Sequence, residues 1–311
     1  MVHIREVGPR DGFQNEPEVI ATDDKVRLVE GLARTGLRRL EVTSFVRPDV
    51  IPQLADAAEV LRRADIPDEV AVSVLVPNER GLDGALEVRE RGPEHPARPG
   101  AQGTVFQEVN LFLSASESHN RKNVNRSIEE SLTGLDRVIE RARAEGLRCE
   151  GVISVAFGCP YEGDVPRERV LSIAQRLVDA GCEEIAFGDT TGMANPAQVS
   201  RFFEDLDLGV ELTAHFHNTR GQGLANVLAA LGAGVRSFES SFGELGGCPV
   251  PPGATGNIAS EDLVSMLHEM GHETGIDLDR LVSCAREVQR ILRRPLGSHV
   301  LTAGPVDWRR G

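Results

Sequence analysis

Eight short apolar runs alternate with longer amphipathic segments along the 311 residues, and this alternation predicts an α/β fold. Strand–helix alternation repeated this often implies parallel strands joined by right-handed crossovers. The number of runs and the chain length favour a (β/α)8 TIM barrel with additional C-terminal helices. A doubly wound sheet would be favoured by a glycine-rich phosphate turn after the first strand. Gly8-Pro9-Arg10-Asp11-Gly12 is not a GxGxxG, and no Walker A motif occurs. One catalytic domain is expected over residues 1–311, with the barrel at about 1–259 and a helical extension at about 260–311.

The expected strands cover residues 2–7, 39–45, 70–76, 108–113, 148–156, 184–188, 211–217 and 237–242. Between them lie helix-boundary signals. Ser127-Ile128-Glu129-Glu130 is a capping box, followed by Leu132, Leu135, Val138 and Ile139 at helical spacing. Asn195-Pro196 places a cap before a proline at the first helical position, where its missing N–H costs little. Gly36, Gly146 and Gly181 stand just past helical patterns, as stop signals. Residues 260–270 and 278–292 carry two further helical patterns, expected to pack around the barrel. The Pro/Gly-rich segment 92–100 breaks the rhythm and is expected to be a mobile insertion on the face away from the active site.

Composition narrows the function. The chain is 40% hydrophobic and 26% charged, which excludes a disordered chain, a coiled coil and a collagen-like repeat. A formal net charge of −14 argues against a nucleic-acid partner, since like charge repels phosphate. No stretch approaches the roughly 18 apolar residues of a membrane span. The N-terminal residues lack the apolar core of a secretion signal. Five cysteines without a CxxC fit reduced thiols in a cytoplasmic protein.

In a barrel, functional groups collect at the C-terminal ends of the strands. Arg10 and Asp11 follow the first run, Glu41 lies in the second, Asp189 ends the sixth, and His215 and His217 close the seventh. Strand residues two apart point to one side, so both imidazoles project together. Such a pair suits a divalent metal, to which Asp11 could add a hard carboxylate oxygen; a hydrogen-bonded histidine pair is the other reading. Arg10 and Asp11 equally form a loop salt bridge. Glu41 is harder to leave alone, because a carboxylate in a buried strand is costly unless paired. Arg10 is its expected partner, in a bidentate pair. Cys248 lies among glycines and prolines in a loop that could act as a lid. A thiol there could deliver a proton near neutral pH, although most cysteines are small buried hydrophobes. Gly221-Gln222-Gly223 opens a helix and is better explained by close helix–strand packing than by a phosphate cradle.

These residues add up to a resemblance. Val7-Gly8-Pro9-Arg10-Asp11-Gly12-Phe13-Gln14-Asn15-Glu16 resembles the opening signature of the metal-dependent carbon–carbon lyases and condensing enzymes called DRE-TIM metallolyases. A more detailed likeness is to the hydroxymethylglutaryl-CoA lyases. It takes in Glu41-Val42-Thr43-Ser44-Phe45-Val46, Gly158-Cys159-Pro160-Tyr161-Glu162-Gly163, Gly188-Asp189-Thr190 and Gly246-Gly247-Cys248-Pro249. It continues through Pro252-Gly253-Ala254-Thr255-Gly256-Asn257 and Glu261-Asp262-Leu263-Val264, in order from about Ile4 to Leu292. The resemblance implies one divalent metal, Mg²⁺ or Mn²⁺, held by Asp11, His215, His217 and Asn257. It implies that Arg10 stabilises an enolate oxygen, Glu41 orients Arg10, Cys248 donates a proton and Asp189 lies near the substrate. Gln14 joins Arg10 in substrate binding. The implied reaction cleaves 3-hydroxy-3-methylglutaryl-CoA, or a close analogue, to acetyl-CoA and acetoacetate. Leucine catabolism or ketone-body formation is the implied setting, and a cytoplasmic homodimer the implied assembly.

The chain also departs from that pattern. Asn218-Thr219-Arg220-Gly221 stands where the family has an Asp and then an aromatic two residues on, Glu244 where a small residue is common, and Phe13 where leucine is usual. Arg220 and Glu244 are expected to add charge at the mouth and shift preference among acyl groups. Two other functions are weighed: a Claisen-type synthase of the isopropylmalate or citramalate kind, and an inactive barrel acting as a binding protein. The synthases usually carry a long C-terminal regulatory region, for which this length leaves no room. The full set of expected ligands, with Cys248, argues against the inactive barrel.

Overall fold

A computed structural model describes residues 1–94, 104–247 and 256–307. Eight strands close into a barrel in sequence order. They are β1 (His3–Glu6), β2 (Arg39–Ser44), β3 (Ala71–Leu75), β4 (Glu108–Ser114), β5 (Arg148–Ser154), β6 (Glu184–Asp189), β7 (Glu211–Phe216) and β8 (Ser237–Ser240). All neighbours are parallel, and β8 returns to β1 with His3 opposite Ser237. The helices are α1 (Thr22–Ala33), α2 (Ala57–Arg63), α3 (Glu79–Arg91), α4 (Glu117–Val124), α5 (Ile128–Ala144), α6 (Arg167–Ala180), α7 (Pro196–Phe203) and α8 (Gly223–Gly232). Three more follow the barrel: α9 (Ser260–Glu269), α10 (Leu278–Leu292) and α11 (His299–Ala303). Among the described residues no helix is long and apolar enough to cross a membrane.

The local signals explain the boundaries. Ser127 and Glu130 cap α5 reciprocally, at 3.1 and 2.7 Å. Asn195 accepts from the Gln198 N–H ahead of α7, with Pro196 at its first position. Gly181 ends α6 at φ 116°, a conformation that a Cβ would disfavour. Gly223, which opens α8, packs so closely that a Cβ would fall 2.3 Å from Ile258 Cγ2, as the helix–strand packing reading expects. The Pro/Gly-rich segment lies, from residue 95 onward, outside the described residues.

Two layers of opposite character surround each strand. Outward residues such as Leu40, Val72, Val74, Ile185 and Phe187 are buried against the helices. The scarce aromatics concentrate there: Phe157, Phe187, Phe202, Phe203 and Phe216 form one cluster beneath α7. Inward positions are polar. Arg5 on β1 reaches Glu108 on β4, Glu150 on β5, Glu184 on β6 and Glu239 on β8, a span that only the barrel interior allows. Arg39 joins Glu108 and Glu184 from below. Burial works to lower the Arg5 pKa, but the surrounding carboxylates more than offset it and keep the guanidinium charged. The usual branched apolar filling of such a barrel is here replaced by a buried ionic layer, directly beneath the site.

Candidate active site

The first strand hands the chain to a five-residue π-helical turn, Gly8–Gly12, that carries Arg10 and Asp11 over the barrel mouth. Glu6 holds this turn. Its carboxylate accepts the Gly8 N–H at 2.7 Å, the Phe242 N–H at 3.0 Å and the Ser260 hydroxyl at 2.6 Å. One buried acid thus ties the loops after β1 and β8 together, and burial pushes it up to about 7 against those three donors. Glu261 does the same for the Gly243 N–H at 3.0 Å, and burial raises it to about 8.

Arg10 is fixed by two different carboxylates. Its Nε donates to Glu41 Oε2 at 2.6 Å and its Nη1 to Asp11 Oδ1 at 2.6 Å. The expected bidentate pair with Glu41 is therefore corrected: the fork is split, because Asp11 lies on the same turn and competes for the outer nitrogen. Glu41 is fully buried, and its other oxygen accepts from Asn110 Nδ2 at 2.8 Å. Burial pushes the Glu41 carboxyl up, against the pull of Arg10. Gln14 donates to Asp11 Oδ1 at 2.8 Å.

The two histidines close the opposite side. His215 Nδ1 lies 2.7 Å from Glu239 Oε2, and its Nε2 lies 3.1 Å from His217 Nε2. With Nδ1–H donating to Glu239, the Nε2 lone pair faces the mouth, the tautomer a metal ligand needs. Burial alone would lower the His215 pKa, but the Glu239 bond raises it overall. Ligand atoms of Asp11, His215 and His217 all lie within 4.8 Å of one another. Burial would raise the Asp11 pKa, yet Arg10, the two imidazoles and Asn257 hold it below the usual range.

Asn257 borders this cluster, donating to Asp11 Oδ2 at 2.7 Å and to the Leu245 carbonyl at 3.1 Å. Its Oδ1 is buried and, among the described residues, has no hydrogen-bond partner. A carboxylate and two imidazoles converging on one point, with a buried amide that keeps a spare oxygen beside them, fit a divalent metal of intermediate hardness. A cavity of about 530 Å³ opens above them, lined also by His119, Lys122 and Tyr161.

Not every expected residue joins the group. Asp189 shares the outward parity of Phe187, and its Oδ1 accepts the N–H groups of Met193 and Ala194 at 2.8 and 3.0 Å. It shapes the loop after β6 and does not line the cavity. Burial pushes it up to about 7. Arg220 and Glu244 also lie away from the cavity lining. Arg220 donates to the Thr191 and Gly192 carbonyls, and Glu244 accepts from Asn218 and abuts Gly297. Cys248 lies outside the described residues. Glu239 and Asn110 were missed, although Glu239 carries the signal that singled out Glu41: a carboxylate inside a buried strand.

The comparisons with known proteins agree with this geometry. The HMGL-like family model matches residues 1–288. Hydroxymethylglutaryl-CoA lyase YngG of Bacillus subtilis is 45% identical over 303 residues, covering 96% of both chains. A 3-hydroxy-3-isohexenylglutaryl-CoA/hydroxymethylglutaryl-CoA lyase of Pseudomonas aeruginosa is 39% identical, covering 97% of this chain and 96% of that one. The structure of an HMG-CoA lyase from Acinetobacter baumannii, in complex with coenzyme A and 3-methylmalate, superposes with a TM-score of 0.89 at 38% identity, over 98% of this chain and 95% of that one. Barrel, convergent ligand cluster and family match point one way, and the chain belongs to the HMGL-like family.

Proposed function

We propose that the chain cleaves 3-hydroxy-3-methylglutaryl-CoA, or a close 3-hydroxy-3-acyl analogue, to acetyl-CoA and acetoacetate with Mg²⁺ or Mn²⁺ in the site. The observation that carries this reading is Arg10, held between two carboxylates beside three convergent ligand side chains in one cavity. The activities of the similar lyases support the substrate class. Asp11, His215, His217 and Asn257 are the side chains assigned to the ion. A bound divalent ion would orient the substrate hydroxyl and lower its pKa.

The chain's own residues do the rest. As the tertiary hydroxyl gives its proton to a base in the cavity and becomes the ketone of acetoacetate, the bond between the α and β carbons breaks, its electron pair moves toward the thioester carbonyl, and negative charge grows on that oxygen. Arg10 presents N–H donors whose direction Glu41 and Asp11 have already set, so little reorganisation is needed during the reaction. Gln14 is assigned to the substrate alongside Arg10. Cys248 is assigned the proton that the α-carbon of acetyl-CoA requires. Asp189 is assigned a positioning role through the loop after β6. The homodimeric assembly, the cytoplasmic location and the place in leucine catabolism rest on the resemblance to the family.

The test is acetyl-CoA release from hydroxymethylglutaryl-CoA, with and without chelator, by wild type and Cys248→Ala. Chelator and substitution should each abolish most of the release. Metal-independent release, or an unaffected Cys248→Ala, would contradict the assignment.

A further inference from the structure

Two of the side chains assigned to the ion face each other across a very short bridge. His217 and Asn257 pair antiparallel, outside the eight strands. The Asn218 N–H donates to the Gly256 carbonyl and the Ile258 N–H to the Phe216 carbonyl, each at 3.1 Å. Two backbone bonds are little to fix one segment against another. The spacing of the pair therefore depends on what grips its flanks.

Glu244 grips both. Its Oε1 accepts from Asn218 Nδ2 at 3.2 Å, while Asn218 Oδ1 accepts the Gly223 N–H at 3.2 Å. Both ends of the Asn218 amide are used, which sets its orientation. The Glu244 carbonyl oxygen presses on Gly256, where an added Cβ would come within 2.2 Å of it. One residue thus holds the strand side of the bridge with its side chain and the other side with its backbone. It does so at φ 62°, a left-handed conformation that is costly for anything but glycine. The side chain lines no part of the cavity, so what offsets that cost is its contacts with the flanks.

The segment between α10 and α11 seats the clamp from behind. An added Cβ at Gly297 would fall 2.2 Å from Glu244 Oε2, so only a glycine leaves room for the carboxylate. The Gly297 N–H donates to the Gly243 carbonyl at 3.3 Å, and Leu296 Cδ1 covers Gly243, where a Cβ would come within 2.5 Å.

We propose that Glu244 is a positioning residue for the metal: it clamps Asn218 against Gly256, sets His217 against Asn257, and depends on Gly297 for its own seat. The proposal rests on the assignment of those two ligands above. It gives a segment outside the barrel, which supplies no ligand, a part in the metal site.

The test pairs Mn²⁺ titration of the chain with its unfolding in urea. Glu244→Gly removes the clamp and relieves the left-handed backbone. Mn²⁺ affinity should fall by about three- to tenfold, less than for a group bonded directly to a ligand, while the unfolding midpoint holds or rises. Glu244→Gln, whose amide oxygen can still accept from Asn218, should bind within about twofold of wild type. Gly297→Ala should push the carboxylate off its seat and cause a similar loss. In the Glu244→Gly background it should cause no further loss, because the group it displaces is gone. Additive losses, or wild-type affinity in Glu244→Gly, overturn the proposal. So does a loss of affinity matched by a loss of stability, the result of a merely structural role. A wild type that binds no Mn²⁺ would instead overturn the metal assignment, and this proposal with it.

Discussion

Gly246→Ala is expected to weaken the metal site selectively. Gly246 has φ 108°, and an added Cβ would lie 2.6 Å from Asn257 Nδ2 and 3.4 Å from Asp11 Oδ2. An alanine held at that φ is strained by about 1–3 kcal/mol. The methyl group must also displace Asn257, whose amide is pinned between Asp11 Oδ2 and the Leu245 carbonyl at 2.7 and 3.1 Å. Losing the bond to a charged carboxylate removes about 1.5–3 kcal/mol more. Together these come to about 2.5–6 kcal/mol, which the chain should relieve by releasing the loop while keeping the barrel. The assay is therefore paired. Titration with Mn²⁺ should show affinity lowered by about 10- to 100-fold, while the unfolding midpoint in urea moves only slightly. Wild-type Mn²⁺ affinity in a well-folded variant would refute the reasoning.

Glu239→Gln removes the charge that orients His215 and should lower Mn²⁺ affinity by about tenfold or more, read in the same titration. Asn120→Ala deletes the amide that accepts the Ser114 N–H and donates to Arg126 O, Ser127 O and Ser131 Oγ; denaturant unfolding should show a loss of about 2–4 kcal/mol. Glu6 and Glu261, at about 7 and 8 when folded, lie above their ordinary 4.5. Between those limits the native chain binds more protons than the unfolded one, so stability should fall as pH rises, by up to about 1.4 kcal/mol per unit per group. Unfolding at pH 5 and pH 8 checks the sign, and Glu261→Gln should flatten the slope.

How much was legible depended on whether a residue announced its own burial. The strands and α5 did, through apolar runs and a capping box. Helix α4 did not: Glu117–Val124 is polar up to its final valine, and its one buried residue is Asn120, so periodicity had nothing to detect. It is held instead by the Ser116 cap and by the Asn120 amide. The Arg10–Glu41 pairing was legible because a buried carboxylate demands a partner. Its split geometry was not, because the π-helical turn that brings Asp11 alongside depends on Glu6, a contact across 236 residues to Phe242. Asp189 was placed near the substrate by its motif, and strand parity turned it outward. Asn257 could be named only through the resemblance, since nothing local marks an asparagine beyond a lid as a ligand.

The ionic layer inside the barrel constrains which sequences this fold can reach. Arg5 touches glutamates on four strands at once, so no member of the set can be exchanged in isolation without stranding a charge in the interior. Substitutions there must arrive together, as an arginine leaving with a glutamate, and their effects will be strongly non-additive. Glu239 belongs to both that layer and the histidine it orients. Divergence in the barrel interior is therefore coupled to the barrel mouth, and a change at Arg5 on β1 is a change two contacts away from the His215 imidazole.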